Sequence, residues 1–181
     1  MLGIQLHLGL PNVDQVHVDA IYIESEFSKP WGGLWTSTFQ PGSGSAWLAY
    51  RASQEWTPGS SHRLSLWLLT PDPLSRILNL DTEDDIKHLF DAYSLPLREP
   101  RSPGSLGLNW SSLALDFEAL HLSQAGYAAG YPLFSTWSCE STIWFRDCFV
   151  AKEKLAELTW SQAFDFSRAR SINLDNEVEL L

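Results

Sequence analysis

The chain has 181 residues, with 12 basic and 22 acidic side chains and a formal net charge of -10 at pH 7. This acidic balance argues against a nonspecific grip on nucleic acid, which needs stripes of Lys and Arg, but it leaves a nucleic-acid end or base open as a substrate. The length predicts one domain with a substantial core. We assign this domain to residues 1–166 and treat residues 167–181 as a polar, acidic tail.

Cysteine usage and hydropathy bear on the compartment of the protein. Cys139 and Cys148 lie close together in sequence and do not form the pattern of a disulfide framework, so a reducing cytoplasm is expected. No apolar run reaches ~18 residues and no charged-then-apolar leader opens the chain, so neither a membrane span nor a signal peptide is expected. The 5 histidines are scattered without ligand spacing, which predicts no metal site.

Hydrophobic periodicity predicts many short strands and a few helices. In chain order these are strands over residues 3–10, 16–23 and 33–39, a helix over 45–56, strands over 62–69 and 75–81, a helix from 81 or 82 to about 93, a helix from 109 or 111 to about 117, strands over 118–123 and 136–146, and a helix over 152–160. Loops are predicted over 24–30, 58–61, 95–107 and 124–134. Because strict βαβ alternation is missing, the order predicts an α+β fold rather than a doubly wound sheet.

Capping residues mark two of the helix starts. Ser45 is a good N-cap for the first helix. Asp81 or Thr82 caps the second, and the acidic residues 83–85 then occupy its first turn. Such an acidic run resembles a metal-binding group, but carboxylates in a first turn also complement the helix dipole, which is the interpretation we favour.

The most informative stretch is residues 32–50, GGLWTSTFQPGSGSAWLAY. It predicts a strand, a flexible polar loop and a helix that carries several rings. Glycines allow another molecule to approach the backbone closely, and aromatic faces offer stacking surfaces. The combination suits a planar ligand such as a nucleotide or a pyridine ring. A tryptophan-rich core strand beside a surface loop is an equally open interpretation.

Glu140 is the second informative position. It lies in an apolar stretch predicted as a strand, and strand interiors disfavour Glu. Alternation places Glu140 on the same side as Thr142 and Trp144, with Trp137 on the other side. Either the carboxylate is solvated on an edge strand, where charges protect sheets from aggregation, or it is held in a pocket.

Three separated segments together resemble the ADP-ribosyltransferase superfamily, in its branch with a His, an aromatic residue and a Glu. The first is Leu6-His7-Leu8-Gly9, similar to the His-Gly step of the family's first strand. The second is the glycine–aliphatic–aromatic strand at 33–37 with the serine-and-tyrosine helix at 45–50. The third is the segment 140–145, similar to the late strand that begins with the catalytic Glu.

The resemblance implies a split antiparallel β-sheet core with flanking short helices, and NAD⁺-dependent mono-ADP-ribosyl transfer of a toxin-like kind. His7 would hold the adenosine-side ribose of NAD⁺. Trp35, with Trp47 or Tyr50, would stack on the nicotinamide. Glu140 would bind the nicotinamide-side ribose and stabilise its oxocarbenium-like transition state. The implied cofactor-binding residues are His7, Gly33, Trp35, Ser37, Ser45, Trp47 and Tyr50.

The resemblance also implies partners. The acceptor would be a protein or a nucleic acid in the cytoplasm, and a toxin of this kind would have a cognate inhibitor or antitoxin. Rings in the loop before Glu140, namely Tyr127, Tyr131 and Phe134, would contact the acceptor, or equally would fold the loop back onto the core. Lys29 would reach a phosphate or, as we favour, remain a solvated loop residue.

Departures from the family pattern keep other functions open. Trp35 stands where relatives usually carry Tyr, and it lacks the hydroxyl. Ser138 stands two residues before Glu140, where a Glu or Gln would favour arginine as the acceptor. The first alternative is a catalytically inactive module that binds NAD⁺, ADP-ribose or a partner. An RNA 2′-phosphotransferase ranks lower because the chain has only 12 basic residues, and an aromatic-rich interaction domain without a ligand remains.

Overall fold

The computed structural model describes residues 2–9, 15–22, 29–41, 44–53, 63–96, 106–131 and 133–159. The elements in chain order are β1 (Gln5–Gly9), β2 (Asp19–Tyr22), β3 (Trp31–Thr38), α1 (Ala46–Ser53), β4 (Arg63–Pro71), β5 (Ile77–Leu80), α2 (Glu83–Tyr93), β6 (Ser94–Pro96), β7 (Leu106–Leu108), α3 (Trp110–Asp116), β8 (Ala119–Leu122), α4 (Gln124–Ala129), a 3-10 turn (Ser135–Trp137), β9 (Ser141–Trp144) and β10 (Phe149–Thr159). These form mixed α+β structure with a mainly antiparallel sheet and short helices, which confirms the predicted class.

Two compact units interleave along the chain. The first contains the described residues of segments 1–16, 36–73 and 149–181, and the second those of 17–35 and 74–148. The division falls inside β3, between Trp35 and Thr36. The predicted domain boundary at residue 166 lies outside the described residues and stays a prediction.

The first unit is built on antiparallel strands in the order β10-β4-β1, followed by the last residues of β3. The alternation predicted for β1 is confirmed: Leu6 is buried in the core, and Ile4 and Leu8 pack against it. Ser45 ends the loop before α1 and accepts a hydrogen bond from the Leu48 N–H at 3.3 Å, which confirms it as the N-cap.

The second unit carries the larger core. Its strands follow the order β3-β9-β8-β5, with β2 also paired to β3. β5 and β8 run parallel, whereas β8 and β9 are antiparallel. The helices α2 and α3 contribute core residues that include Leu89 and Trp110. Thr82 caps α2, and Asp85 closes a capping box with it, so part of the acidic first turn serves the helix start.

Four predicted elements differ from the structure. The loop predicted over 95–107 is wrong at its described ends, because residues 95–96 and 106–107 belong to the paired strands β6 and β7. The helix predicted over 152–160 is wrong over its described residues, 152–159, because they belong to β10, which pairs with β4 along most of its length. The loop predicted over 124–134 is wrong where α4 forms, with Ser123 as its N-cap. The strand predicted over 136–146 is shortened to β9 by the preceding 3-10 turn.

Several predicted segments cannot be compared. Most of the predicted loops at 24–30, 58–61 and 95–107, and the whole tail at 167–181, lie outside the described residues. Within the part of the chain that is described, no helix has the length and apolar character needed to cross a membrane.

Candidate functional site

Glu140 lies immediately before β9, and it is buried. Only 8% of the residue is exposed. β9 is an interior strand, with β3 on one side and β8 on the other. The backbone reaches this position through Ser138, whose φ of 71° lies in the left-handed region. The interpretation of Glu140 as a solvated residue of an edge strand is therefore wrong, and the carboxylate is held inside the second unit.

His121, in the middle of β8, lies beside Glu140. The antiparallel register places His121 directly opposite Thr142, so that the residue two positions before Thr142 shares the same face. The His121 Nδ1 atom is 2.8 Å from Thr142 Oγ1 and 3.6 Å from Glu140 Oε1. The side chains of His121 and Glu140 are each 11% exposed. The predicted common side of Glu140 and Thr142 is consistent with their shared contact on His121.

Burial dominates the electrostatics of His121. Desolvation lowers the pKa of the imidazole below its ordinary value of 6.5, and the negative charges of Glu140 and Asp81 oppose this without reversing it. The ring is therefore neutral at neutral pH. His121 and Glu140 thus form a polar contact between a neutral imidazole and a carboxylate rather than a full ion pair. His121 therefore does not neutralise the negative charge of the Glu140 carboxylate.

Aromatic rings pack in the core of the same unit. The centroid of Trp137 lies 4.8 Å from that of Trp35, with the ring planes at 77°. Trp137 also packs at 5.6 Å against Phe134 and is stacked with Trp110 at 6.3 Å. Trp35 is half-buried, and the Lys29 ammonium lies 4.4 Å from the centroid of its ring. Lys29 therefore makes a cation–π contact, which differs from the solvated residue that we expected.

The glycines of β3 are explained by neighbouring strands. Gly33 has a φ of +64°, and a Cβ atom there would lie 2.9 Å from both Ile143 Cγ1 and Trp144 O. Gly32 has a φ of +81°, and its Cβ would overlap the carbonyl of Ala20. Both positions thus need glycine for backbone conformation and strand packing. Close approach by a ligand is not required to account for them.

The remaining predicted cofactor residues belong to the first unit. His7 is half-buried on β1 opposite Trp67, and its ring lies beside Gly9. The Ser37 hydroxyl accepts a hydrogen bond from the Trp47 N–H at 3.3 Å and so connects β3 to α1. Tyr50 is half-buried on the same helix. Ser37 and Ser45 therefore both have structural hydrogen bonds at the start of α1.

The rings of the segment before Glu140 divide into two groups. Phe134 is fully buried, and Tyr127 packs half-buried against the same core. These two rings fold the segment back onto the core. Tyr131 is 65% exposed and is the ring of the three that is placed to meet a second molecule.

The sequence analysis does not single out His121, because the 5 histidines are scattered along the chain without ligand spacing. The signal that would have found it is the one that found Glu140: an ionisable side chain inside a short apolar strand, here Ala119-Leu120-His121-Leu122. All four residues of β8 are buried. The contact itself depends on the pairing register of two strands, which the periodicity of either strand alone does not specify.

Comparisons with known proteins give no relatives: no protein-family model, no curated protein and no solved structure matches the chain. Among the described residues, no group of three or more His, Cys, Asp or Glu side chains is arranged to hold a metal ion. The groups that the structure places together at this site are the Glu140 carboxylate, the His121 imidazole and the Thr142 hydroxyl.

Proposed function

We propose that this chain is an NAD⁺-dependent mono-ADP-ribosyltransferase, with Glu140 as its catalytic carboxylate. The observation that carries the proposal is the buried position of Glu140 at the start of an interior strand, beside a neutral imidazole. A buried carboxylate beside a neutral imidazole is suited to stabilise positive charge that develops on a substrate.

The arrangement of strands also supports the proposal. The segments that resemble the family lie on β1, on β3 and at the start of β9. β3 is the neighbour of β1 in the first unit and of β9 in the second. The antiparallel pairing of β1 with β3 in the first unit and of β8 with β9 in the second is compatible with the antiparallel core that the resemblance implies.

The reaction would break the bond between nicotinamide and ribose. Nicotinamide leaves with the bonding electrons, positive charge develops on the ribose, and a nucleophile of the acceptor forms the new bond. Glu140 would lower this barrier electrostatically, as carboxylates do in glycoside cleavage. Trp35, with Trp47 or Tyr50, would bind the leaving ring, and His7 would bind the distal ribose. The exposed Tyr131 is the candidate acceptor contact, with a cytoplasmic protein or nucleic acid as the acceptor class.

The first test is label transfer from radiolabelled NAD⁺ in a cell lysate. Glu140→Gln removes the charge while keeping the shape, so we expect a loss of about 10²-fold or more, equivalent to roughly 3 kcal/mol. Glu153→Gln is the matched control, because Glu153 is an exposed residue of β10. Digestion of the product with RNase, DNase or protease identifies the acceptor class. Turnover that is unaffected by Glu140→Gln would contradict the role of Glu140.

One contact favours a second candidate, an inactive module that binds NAD⁺, ADP-ribose or a partner. The Lys29 ammonium lies 4.4 Å from the centroid of the Trp35 ring, where it would repel the positive charge of a stacked pyridinium. This contact disfavours NAD⁺ turnover and favours, within the second candidate, ADP-ribose or a partner, neither of which requires a pyridinium on Trp35. For this candidate we expect calorimetry to show NAD⁺ or ADP-ribose binding by both wild type and Glu140→Gln, without nicotinamide release from either.

A further inference from the structure

We propose that His121 is a positioning residue for Glu140, with its Nδ1 atom fixed between the Thr142 hydroxyl and the Glu140 carboxylate. The inference rests on the proposed function for its catalytic consequence, but the contact itself can be tested separately. The two distances from Nδ1, 2.8 Å to Thr142 Oγ1 and 3.6 Å to Glu140 Oε1, place both oxygens near one ring nitrogen.

The geometry also selects one tautomer of the neutral ring. With the proton on Nε2, the lone pair of Nδ1 would face the Glu140 carboxylate and repel it. With the proton on Nδ1, the ring donates to Thr142 Oγ1, and the positive end of the N–H dipole lies near Glu140 Oε1. We therefore assign the proton to Nδ1. Thr142 then acts as the acceptor and keeps its own hydroxyl proton for donation.

The backbone holds this arrangement rigidly. Thr142 is fully buried and lies within β9, and His121 lies within the fully paired β8. Both strands are interior, so the backbone that carries the ring and the hydroxyl cannot shift without breaking sheet hydrogen bonds. A carboxylate supported in this way is preorganised, which is the condition under which electrostatic stabilisation of a transition state is most effective.

Protonation of His121 would weaken the electrostatic stabilisation that Glu140 provides. Among the described residues, the charged groups that act on the ring are Glu140, ahead of β9, and Asp81, after β5. A cationic His121 would pair with Glu140 and cancel the charge that stabilises the ribose. Because burial keeps the pKa of His121 below its ordinary value, we expect activity to be complete at neutral pH and to fall on the acid side as the ring takes up a proton.

Two variants separate positioning from packing. His121→Leu keeps an apolar bulk but removes the donor, and we expect kcat to fall about 10-fold with little change in the KM for NAD⁺. His121→Asn places an amide N–H near the position of Nδ1, and we expect kcat within about 3-fold of wild type. In both variants the acid-side loss that comes from His121 should vanish. Thermal unfolding shows whether each variant is folded.

The contact has a readout that does not require turnover. NMR titration of the His121 ring, assigned by comparison with His121→Asn, should give a lower pKa in Glu140→Gln than in wild type, because the charge that raises it has been removed. Two-bond proton–nitrogen spectra of wild type at neutral pH should show the proton on Nδ1.

The outcomes are distinguishable. Full activity in His121→Leu, or equal impairment of the Leu and Asn variants, would overturn the positioning role. An unchanged His121 pKa in Glu140→Gln, or a proton on Nε2, would overturn the contact. If wild type does not consume NAD⁺, the proposed function and the catalytic role of His121 both fail, and the NMR titration then decides the contact alone.

Discussion

Each unit of the molecule buries a small set of polar side chains in its sheet, and the two sets differ in whether their members can ionise. In the first unit the group is neutral. The Thr36 hydroxyl donates to Gln5 Oε1 at 2.8 Å, and Gln5 Nε2 donates to Thr38 Oγ1 at 3.3 Å and to the Gly3 carbonyl at 3.1 Å. Every member belongs to β1, β3 or the residues just before them, so sheet architecture accounts for the whole group.

In the second unit the buried group contains two ionisable side chains. His121 and Glu140 are both largely removed from water, and burial disfavours the charged form of His121. A neutral amide with hydrogen-bond partners needs no explanation beyond folding, whereas a buried ionisable pair is a recurrent property of functional sites. The comparison teaches that burial of polar residues identifies a candidate site only when combined with the capacity to titrate.

The largest effect that we expect from this comparison is on stability in the first unit. Gln5→Leu removes the hydrogen bond from the buried Thr36 hydroxyl to Gln5 Oε1 and should lower the free energy of unfolding by about 2 kcal/mol. Urea denaturation measures the loss, and the double variant Gln5→Leu/Thr36→Val should recover part of it because both partners are then apolar. No member of this group titrates, so the loss should be equal at acidic and neutral pH. An unchanged midpoint would show that the amide contributes nothing.

The fold was predictable wherever a signal is local. Alternation predicts β1 because its side chains face opposite sides of a sheet, and the cap of α2, predicted as Asp81 or Thr82, is Thr82. The signal failed where tertiary contacts decide. β10 is rich in Lys, Glu, Ala and Leu, which favour helices, yet its pairing with β4 prevails. Gly126 made α4 look like a loop, but a Cβ there would overlap the Leu80 carbonyl, so close packing requires the glycine.

The candidate site was predictable in part for the same reason. Glu140 stands out in sequence because an acidic residue is unusual in an apolar β-rich segment. His121 did not stand out, because its significance depends on lying opposite Thr142 in a neighbouring strand. The glycines of β3 were interpreted as room for a ligand, and only the positions of β2 and β9 show that neighbouring strands fill that space. Register and strand order are global properties, which local patterns do not contain.

The pH dependence of stability should distinguish the neutral hydrogen-bonded residues around Gln5 from the ionisable pair of His121 and Glu140. Burial depresses the folded-state pKa of His121, so between that value and 6.5 the unfolded chain binds more protons than the folded one. The contribution of His121 to stability is therefore complete above pH 6.5 and is lost as the pH falls through the folded-state pKa. The slope from one proton is at most ~1.4 kcal/mol per pH unit. His121→Asn, measured by urea denaturation across this range, should have a flatter profile than wild type, and parallel profiles would contradict the assignment.

The smallest effect tests whether Ser45 is structural or also binds a ligand. Its hydroxyl caps α1, so Ser45→Ala should lower the free energy of unfolding by about 1 kcal/mol, while Ser45→Asn, which retains a capping side chain, should stay near wild type. If capping is its whole role, the KM for NAD⁺ will not change in either variant. A KM that rises in Ser45→Ala beyond the effect of lost stability would instead give Ser45 the cofactor contact implied by the resemblance. If Ser45→Ala causes no loss of stability, the capping role of Ser45 is contradicted. Because Ser45 is neutral and hydrogen-bonded like Gln5, we expect the purely structural outcome, which would leave the ionisable pair of the second unit as the chemically distinctive part of the molecule.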